Sequence, residues 1–206
     1  MHCQRRGFLS ALFGASFAVT EATHGATLLT PRQATGPFYP SALPRLRDND
    51  LVDVDGSGHL ASGQITHLSG RVIDASDNPI QTAHVEIWQC DAFGRYHHEN
   101  DFRQQPLDPY FQGFGRTTTD SDGRYSFRTI KPVAYPARAP HIHFKVSGAN
   151  LSTLVTQLYV DGEPSNSADI LLRSTNNAVL LTARFEHDPQ PPGELRTTFN
   201  LVVETH

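Results

Sequence analysis

Apolar and polar residues alternate in short runs through most of the chain, and Gly, Pro, Asp and Asn break the runs at frequent intervals. Successive side chains of a strand point to opposite faces, so this pattern predicts strands with one buried face. The runs are HLSGRVID (67–74), AHVEIWQC (83–90), GRTTTD (115–120), RYSFRTI (124–130), HIHFKVS (141–147), LVTQLYVD (154–161), AVLLTARFE (178–186) and LRTTFNLVV (195–203). About eight short strands separated by turn residues predict an all-β chain, a single β-sandwich with long loops. The turn chemistry agrees: SDNP precedes the second run, DSDG (120–123) feeds the fourth, and DGEPSN follows the sixth. Only SADILLR (167–173) reads as helical. Residues 27–66 are rich in Pro, Gly and Asp and predict an irregular N-terminal wrap around the sandwich. Within them DVDGSG lacks the spaced ligands and closing Glu of an EF-hand loop, so calcium is not expected there.

Composition narrows the function. A chain of 206 residues, 38% of them hydrophobic, can bury a sizeable core in one domain. The formal net charge is -4, with Lys and Arg scattered among Asp and Glu, which argues against nucleic acid as a partner. The opening QRRGFLSALFGASFAV sets Arg5 and Arg6 before an apolar run too short to span a bilayer. It predicts an export signal over residues 1–26, similar to the twin-arginine type and cleaved among the small residues Ala22 to Ala26. The expectation is therefore an exported, periplasmic or extracellular protein with no stable membrane span, and a functional domain over 27–206. Cys3 lies inside the signal, leaving Cys90 alone and no internal disulfide. The alternating context of Cys90 marks it as a small packed residue rather than a nucleophile.

The fifth run carries the candidate chemistry. His141 and His143 share one face of their strand while Ile142, Phe144 and Val146 share the other, which reads as core. Two imidazoles on one face can converge on one metal, although surface strands also carry such pairs. A cupin-like site needs a Glu four residues after the second His, and FKVSGAN supplies none. A three-histidine zinc site needs a further inward His; His67 and His84 each open a strand beside polar turn residues, where exposure is expected. Oxygen anions are a third possibility, because Tyr135 lies six residues before His141 and Tyr96 follows the strand ending in EIWQC. Two phenolates with two imidazoles suit a hard trivalent ion such as Fe(III) better than Zn(II) or Cu(I), and a bound trivalent cation favours the phenolate despite an ordinary pKa near 10.

These stretches resemble the intradiol ring-cleavage dioxygenases, the non-haem Fe(III) family that includes protocatechuate 3,4-dioxygenase and the catechol 1,2-dioxygenases. LSGRVIDASDNPIQTAHVEIWQCDAFGRYHHEND is similar to the family's approach to its first ligand tyrosine, and FGRTTTDSDGRYSFRTIKPVAYPARAPHIHFKV to the stretch with the second tyrosine, an arginine and the histidine pair. TQLYVDGEP and the upstream TGPFYP extend the resemblance over roughly residues 31–200. The resemblance implies Tyr96, Tyr135, His141 and His143 as iron ligands, with Tyr135 as the one released when substrate binds. It places Arg138 against the bound catecholate and Gln157 in the pocket lining. The implied reaction opens a catechol-type ring with O2 to a cis,cis-muconate-type product. PARAP, between Tyr135 and His141, is shorter than its counterpart in that family, which leaves the particular catechol open. A compact unit like that of protocatechuate dioxygenase is expected, without the helical segment that joins catechol dioxygenases into dimers; a homo-oligomer is compatible with it. Two other readings of the strand plan are a non-catalytic prealbumin-like binding module and a zinc hydrolase.

Overall fold

The structure is a computed structural model describing residues 27–206 apart from 55 and 57. The expected export signal, with Arg5, Arg6 and Cys3, lies outside the described residues, as do two positions of DVDGSG. Strands dominate and form two five-stranded sheets with mixed pairing. In the first, β1 (Ile65–Ile73) pairs antiparallel with β4 (Arg124–Ile130) from Ile65↔Ile130 to Arg71↔Arg124. The short β9 (Leu195–Thr198) and β10 (Leu201–Val202) follow one another parallel to β1, and β8 (Glu186–His187) pairs with β9. The second sheet runs β3 (Phe114–Thr118), β2 (His84–Trp88), β5 (His141–Ser147), β6 (Leu154–Val160), β7 (Thr182–Ala183).

The core lies between the sheets. Leu68, Val72, Phe127 and Ile130 of the first pack in one cluster with Val85, Ile87, Ile142, Phe144, Val146 and Leu158 of the second. Ile142, Phe144 and Val146 are each 0% exposed, as the period-two reading of β5 requires. Each contributes about 1.5–3 kcal/mol by burial, which fixes the strand that carries the histidines. The irregular wrap is present over most of residues 27–64 and adds Leu51 and Val52 to the core. Cys90 is a buried free thiol, which burial pushes up to about 12, so it is a packed residue and no nucleophile.

Two expected strands are corrected. AVLLTARFE is not one strand: residues 178–181 form a 3-10 turn, and the chain then enters β7 in one sheet and β8 in the other. Asn177 turns the chain with φ of 56°, and Leu181 is buried while Val179 is 76% exposed, a placement that alternation misreads. LRTTFNLVV breaks into β9 and β10 at Phe199–Asn200. Here Asn200 Oδ1 accepts Arg71 N at 3.0 Å, and the backbone comes so close that a Cβ on Gly70 would sit 1.9 Å from Phe199 O. The helical reading of 167–173 reduces to a 3-10 turn over Pro164–Ser167 and a single helical turn, α1 (Ile170–Arg173).

Candidate metal centre

Sheet register builds the site. His143 on β5 stands opposite Trp88 of β2 and Gln157 of β6, and His141 stands opposite Tyr159. These side chains share the face turned away from the core. In a bare sandwich that face would be wet, but here residues 31–38 cover it. Gln33 N donates to Val155 O at 2.8 Å and Gln157 Nε2 to Ala34 O at 3.0 Å. Gly36, at φ +73°, passes so near that a Cβ would lie 3.3 Å from His143 Cε1. Trp88 stacks on His143 with ring centroids 4.7 Å apart and 7° between planes. The result is a dry polar site: His141 and His143 are 1% exposed, Gln157 and Tyr159 0%.

The four sequence-predicted ligands converge there. His141 Nε2 lies 3.3 Å from His143 Nε2 and 3.4 Å from Tyr135 Oη. The Tyr96 ring centroid is 5.7 Å from that of Tyr135 and 6.3 Å from that of His143. His141 Nδ1 is 2.6 Å from Ala139 O. A carbonyl only accepts, so Nδ1 carries the proton and Nε2 presents its lone pair to the site. His143 Nδ1 and Tyr96 Oη are buried without a hydrogen-bond partner. Either tautomer of His143 leaves Nδ1 unpaired, while its Nε2 faces His141 Nε2 at 3.3 Å, where a cation could take both lone pairs. Among the described residues no group of three or more His, Cys, Asp or Glu could hold a metal, so an ion at this place draws on the phenol oxygens.

Burial sets the protonation states. Burial first, then the Arg138 charge, lowers His141 to about 4, and burial with the neighbouring His141 takes His143 well below its usual value. Burial, then the Tyr135 phenol, pushes Tyr96 well above the ordinary phenol. Without a cation all four groups are neutral at pH 7, which leaves a donor set able to accept positive charge. The sign for stability follows. Between the ordinary imidazole value of 6.5 and about 4 the unfolded chain binds a proton at position 141 that the folded chain refuses. Stability of the metal-free protein is therefore expected to fall as pH drops from 6.5 to 4, by up to about 1.4 kcal/mol per pH unit per histidine. Urea melts across that window check it, and a flat profile would contradict the neutral-histidine site.

Local structure places the remaining groups. Tyr96 follows a turn organised by buried Asp91, whose Oδ1 accepts Phe93 N and Arg95 N. Asp101 Oδ2 then accepts Tyr96 N at 2.7 Å, and Phe38 stacks on the Tyr96 ring at 4.5 Å. Tyr135 begins a tight turn closed by Arg138 N donating to Tyr135 O at 2.9 Å. Pro136 occupies its second position and Ala137 its third at φ 66°, the left-handed place usually held by Gly in a type II turn. This turn brings Arg138 back to the site within three residues. Arg138 Nε donates to Asp169 Oδ2 at 2.8 Å, and Nη2 donates to Gln157 Oε1 at 2.5 Å and Tyr159 Oη at 3.0 Å. His67 and His84 stay outside, bonded to Glu194 and Thr118.

Sequence reasoning missed Tyr159, Trp88 and Asp169. The first two stand at period-two positions that reach the site face, a signal that could have found them. Asp169 caps α1, its Oδ1 accepting Leu171 N and Leu172 N, while Oδ2 takes Ala139 N and Arg138. Asp169→Ala is expected to cost about 3–5 kcal/mol, because it strands a largely buried guanidinium. A loss below about 1 kcal/mol in chemical denaturation would show that Arg138 is held otherwise.

Comparison with known proteins gives the family. The Dioxygenase_C family, described as Dioxygenase, matches residues 34–205. The protocatechuate 3,4-dioxygenase beta chain of Burkholderia cepacia is 41% identical over 183 residues, 84% of this chain and 78% of that protein. A hydroxyquinol 1,2-dioxygenase of Corynebacterium glutamicum is 31% identical over 226 residues, 95% of this chain and 70% of that one. Among solved structures, the dioxygenase domain of a dioxygenase carbohydrate-binding protein fusion from Streptomyces sp. SirexAA-E superposes with a TM-score of 0.69. It is 28% identical and covers 86% of this chain and 99% of that one. Among the described residues no helix is long and apolar enough to cross a membrane. Given the family match and these relatives, the chain belongs to the intradiol dioxygenase family and is an oxidoreductase of the ring-cleaving dioxygenase class.

Proposed function

We propose that this chain is a non-haem Fe(III) enzyme that opens a catechol-type ring with O2 between its two hydroxyl-bearing carbons, giving a cis,cis-muconate-type product. Tyr96, Tyr135, His141 and His143 would hold the iron. The observation that carries the reading is the approach of both Tyr135 Oη, at 3.4 Å, and His143 Nε2, at 3.3 Å, to His141 Nε2, with Tyr96 Oη buried nearby without a hydrogen-bond partner. Bound Fe(III) supplies Lewis acidity toward the diol oxygens and an electron acceptor that makes the ring reactive to O2.

The chain's own residues do the rest. Tyr135 is the less buried of the two tyrosines and stands on an exposed turn, so it is the one free to release and to take a diol proton at Oη. Tyr96 is 3% exposed and pinned by Phe38 and Asp101, which suits a permanent ligand. Arg138 places a fixed positive charge where negative charge develops on the ring and its oxygens, and Asp169, Gln157 and Tyr159 fix its direction. Residues 31–38 and Trp88 keep water from the histidines.

Charge transfer from phenolate to Fe(III) should colour the purified protein red to burgundy. Elemental analysis and an oxygen electrode with catechol test the reading together. A colourless, iron-replete protein, or zinc in place of iron with activity retained in Tyr135→Phe, would overturn it. Export is the second part of the proposal, resting on Arg5, Arg6 and the apolar run behind them. Replacing both arginines with lysine is expected to hold the protein in the cytoplasmic fraction, and unchanged fractionation would refute that route.

A further inference from the structure

Tyr135 is the ligand that gives way to the diol in the proposed function, and its own segment does little to hold its ring. The turn it begins continues through exposed Pro136 and Ala137. Other parts of the chain meet the ring instead. The Arg103 guanidinium lies over it with Cζ 4.8 Å from the ring centroid, and Phe38 meets it edge-on at 6.4 Å between centroids. In this arrangement Tyr135 Oη is 3.4 Å from His141 Nε2, aimed at the centre.

Arg103 is itself aimed by a carboxylate. Nε donates to Asp101 Oδ1 at 2.7 Å and Nη2 donates to Asp101 Oδ2, which fixes the planar fork along one edge. Asp101 is 5% exposed, and its Oδ2 also accepts Tyr96 N at 2.7 Å. One carboxylate therefore ties the backbone of one ligand tyrosine to the cation that covers the ring of the other. The remaining nitrogen, Nη1, is buried without a hydrogen-bond partner, which is costly by itself. Attraction to the faces of Tyr135 and of Phe38, whose centroid is 5.6 Å from Cζ, offsets that cost. With 22% of its side chain exposed, Arg103 is shielded enough for this contact to exceed its worth at an open surface.

We propose that Arg103 is a positioning residue that clamps Tyr135 in the iron-ligating orientation through its stacked guanidinium, so that a diol must break this stacking to displace the phenol. The inference rests on reading Tyr135 as an iron ligand.

The test compares the full chain with Arg103→Ala, alone and combined with Asp101→Asn. The double variant leaves no stranded carboxylate, and the Asn oxygen can still accept Tyr96 N. In the iron-loaded protein, resonance Raman bands of Tyr135, identified by their absence in Tyr135→Phe, should weaken in both variants while those of Tyr96 stay. Catechol titrated under nitrogen should bind about tenfold more tightly, because the competing ligand is released more easily. Damage to the centre as a whole would weaken that binding instead. Unchanged Tyr135 bands, catechol bound no more tightly, or loss of iron or of folding in both variants overturns the clamp. A second reading needs no iron. In metal-free protein labelled with 3-fluorotyrosine, the Tyr135 fluorine resonance should move toward the position of the free amino acid in the double variant. That shift supports the placing of Tyr135 by Arg103 even where the wild-type chain takes up no iron or opens no diol, a failure that would count against the proposed function alone. An unmoved resonance overturns the clamp.

Discussion

His143→Ala is expected to strip the iron and abolish ring cleavage while leaving the sandwich folded. Three features of the position lead to this outcome. His143 Nε2 is 3.3 Å from His141 Nε2, so the two nitrogens can bind only one ion between them. Its ring is stacked on Trp88 and held from above by the Gly36 backbone, so no other side chain can take its place. The strand itself is anchored from behind by Ile142 and Phe144, each 0% exposed, which survive the change. Altering a group that merely supports a metal ligand costs about 10–100-fold in affinity or activity, and loss of a ligand should cost more. Iron content, colour and oxygen uptake should fall together. Retention of iron with full colour would remove His143 from the ligand set, and with it the basis of the proposed function. Removing the ring leaves a hole against Trp88, so a modest loss of stability is also expected.

Arg138→Ala should give the opposite division, keeping iron and colour but slowing ring cleavage about 10²–10³-fold, the usual cost of removing a fixed donor aimed at developing charge. The fold has a reserve against this substitution. Asp169 is the carboxylate left behind, yet it still accepts Ala139 N, Leu171 N and Leu172 N. Its charge stays solvated by backbone donors, so the penalty should fall below that of an isolated buried ion. Arg138→Lys keeps the charge but cannot reach Asp169, Gln157 and Tyr159 at once through a planar fork, and should recover only part of the rate. Wild-type turnover in Arg138→Ala would exclude the residue from the mechanism. A colourless, iron-free variant would make it a structural support of the centre.

Much of this was legible in one dimension, and the reason is geometric. A strand has period two, so HIHFKV alone assigns His141 and His143 to one face and Ile142, Phe144 and Val146 to the other, and the structure keeps that assignment. The same period put Gln157 opposite Leu158 and Thr156, and it does face the site. Alternation failed at AVLLTARFE, because apolar residues of a 3-10 turn at a sheet crossover alternate by accident, and only the pairing partners reveal that the chain changes sheets.

By itself, then, the sequence determined the faces of the strands it located, most of the turns and the kinds of atom available as ligands. All of these follow from local stereochemistry or from residue identity. The tertiary structure alone decided how those atoms meet. Register across β2, β5 and β6 set Trp88 and Tyr159 beside the histidines, and the wrap over residues 31–38 turned a sheet face that would be wet into a dry one. Asp169 became the partner of Arg138 only when distant loops came together, because the charge balance of a buried site is a property of distances in space that neighbours along the chain do not encode.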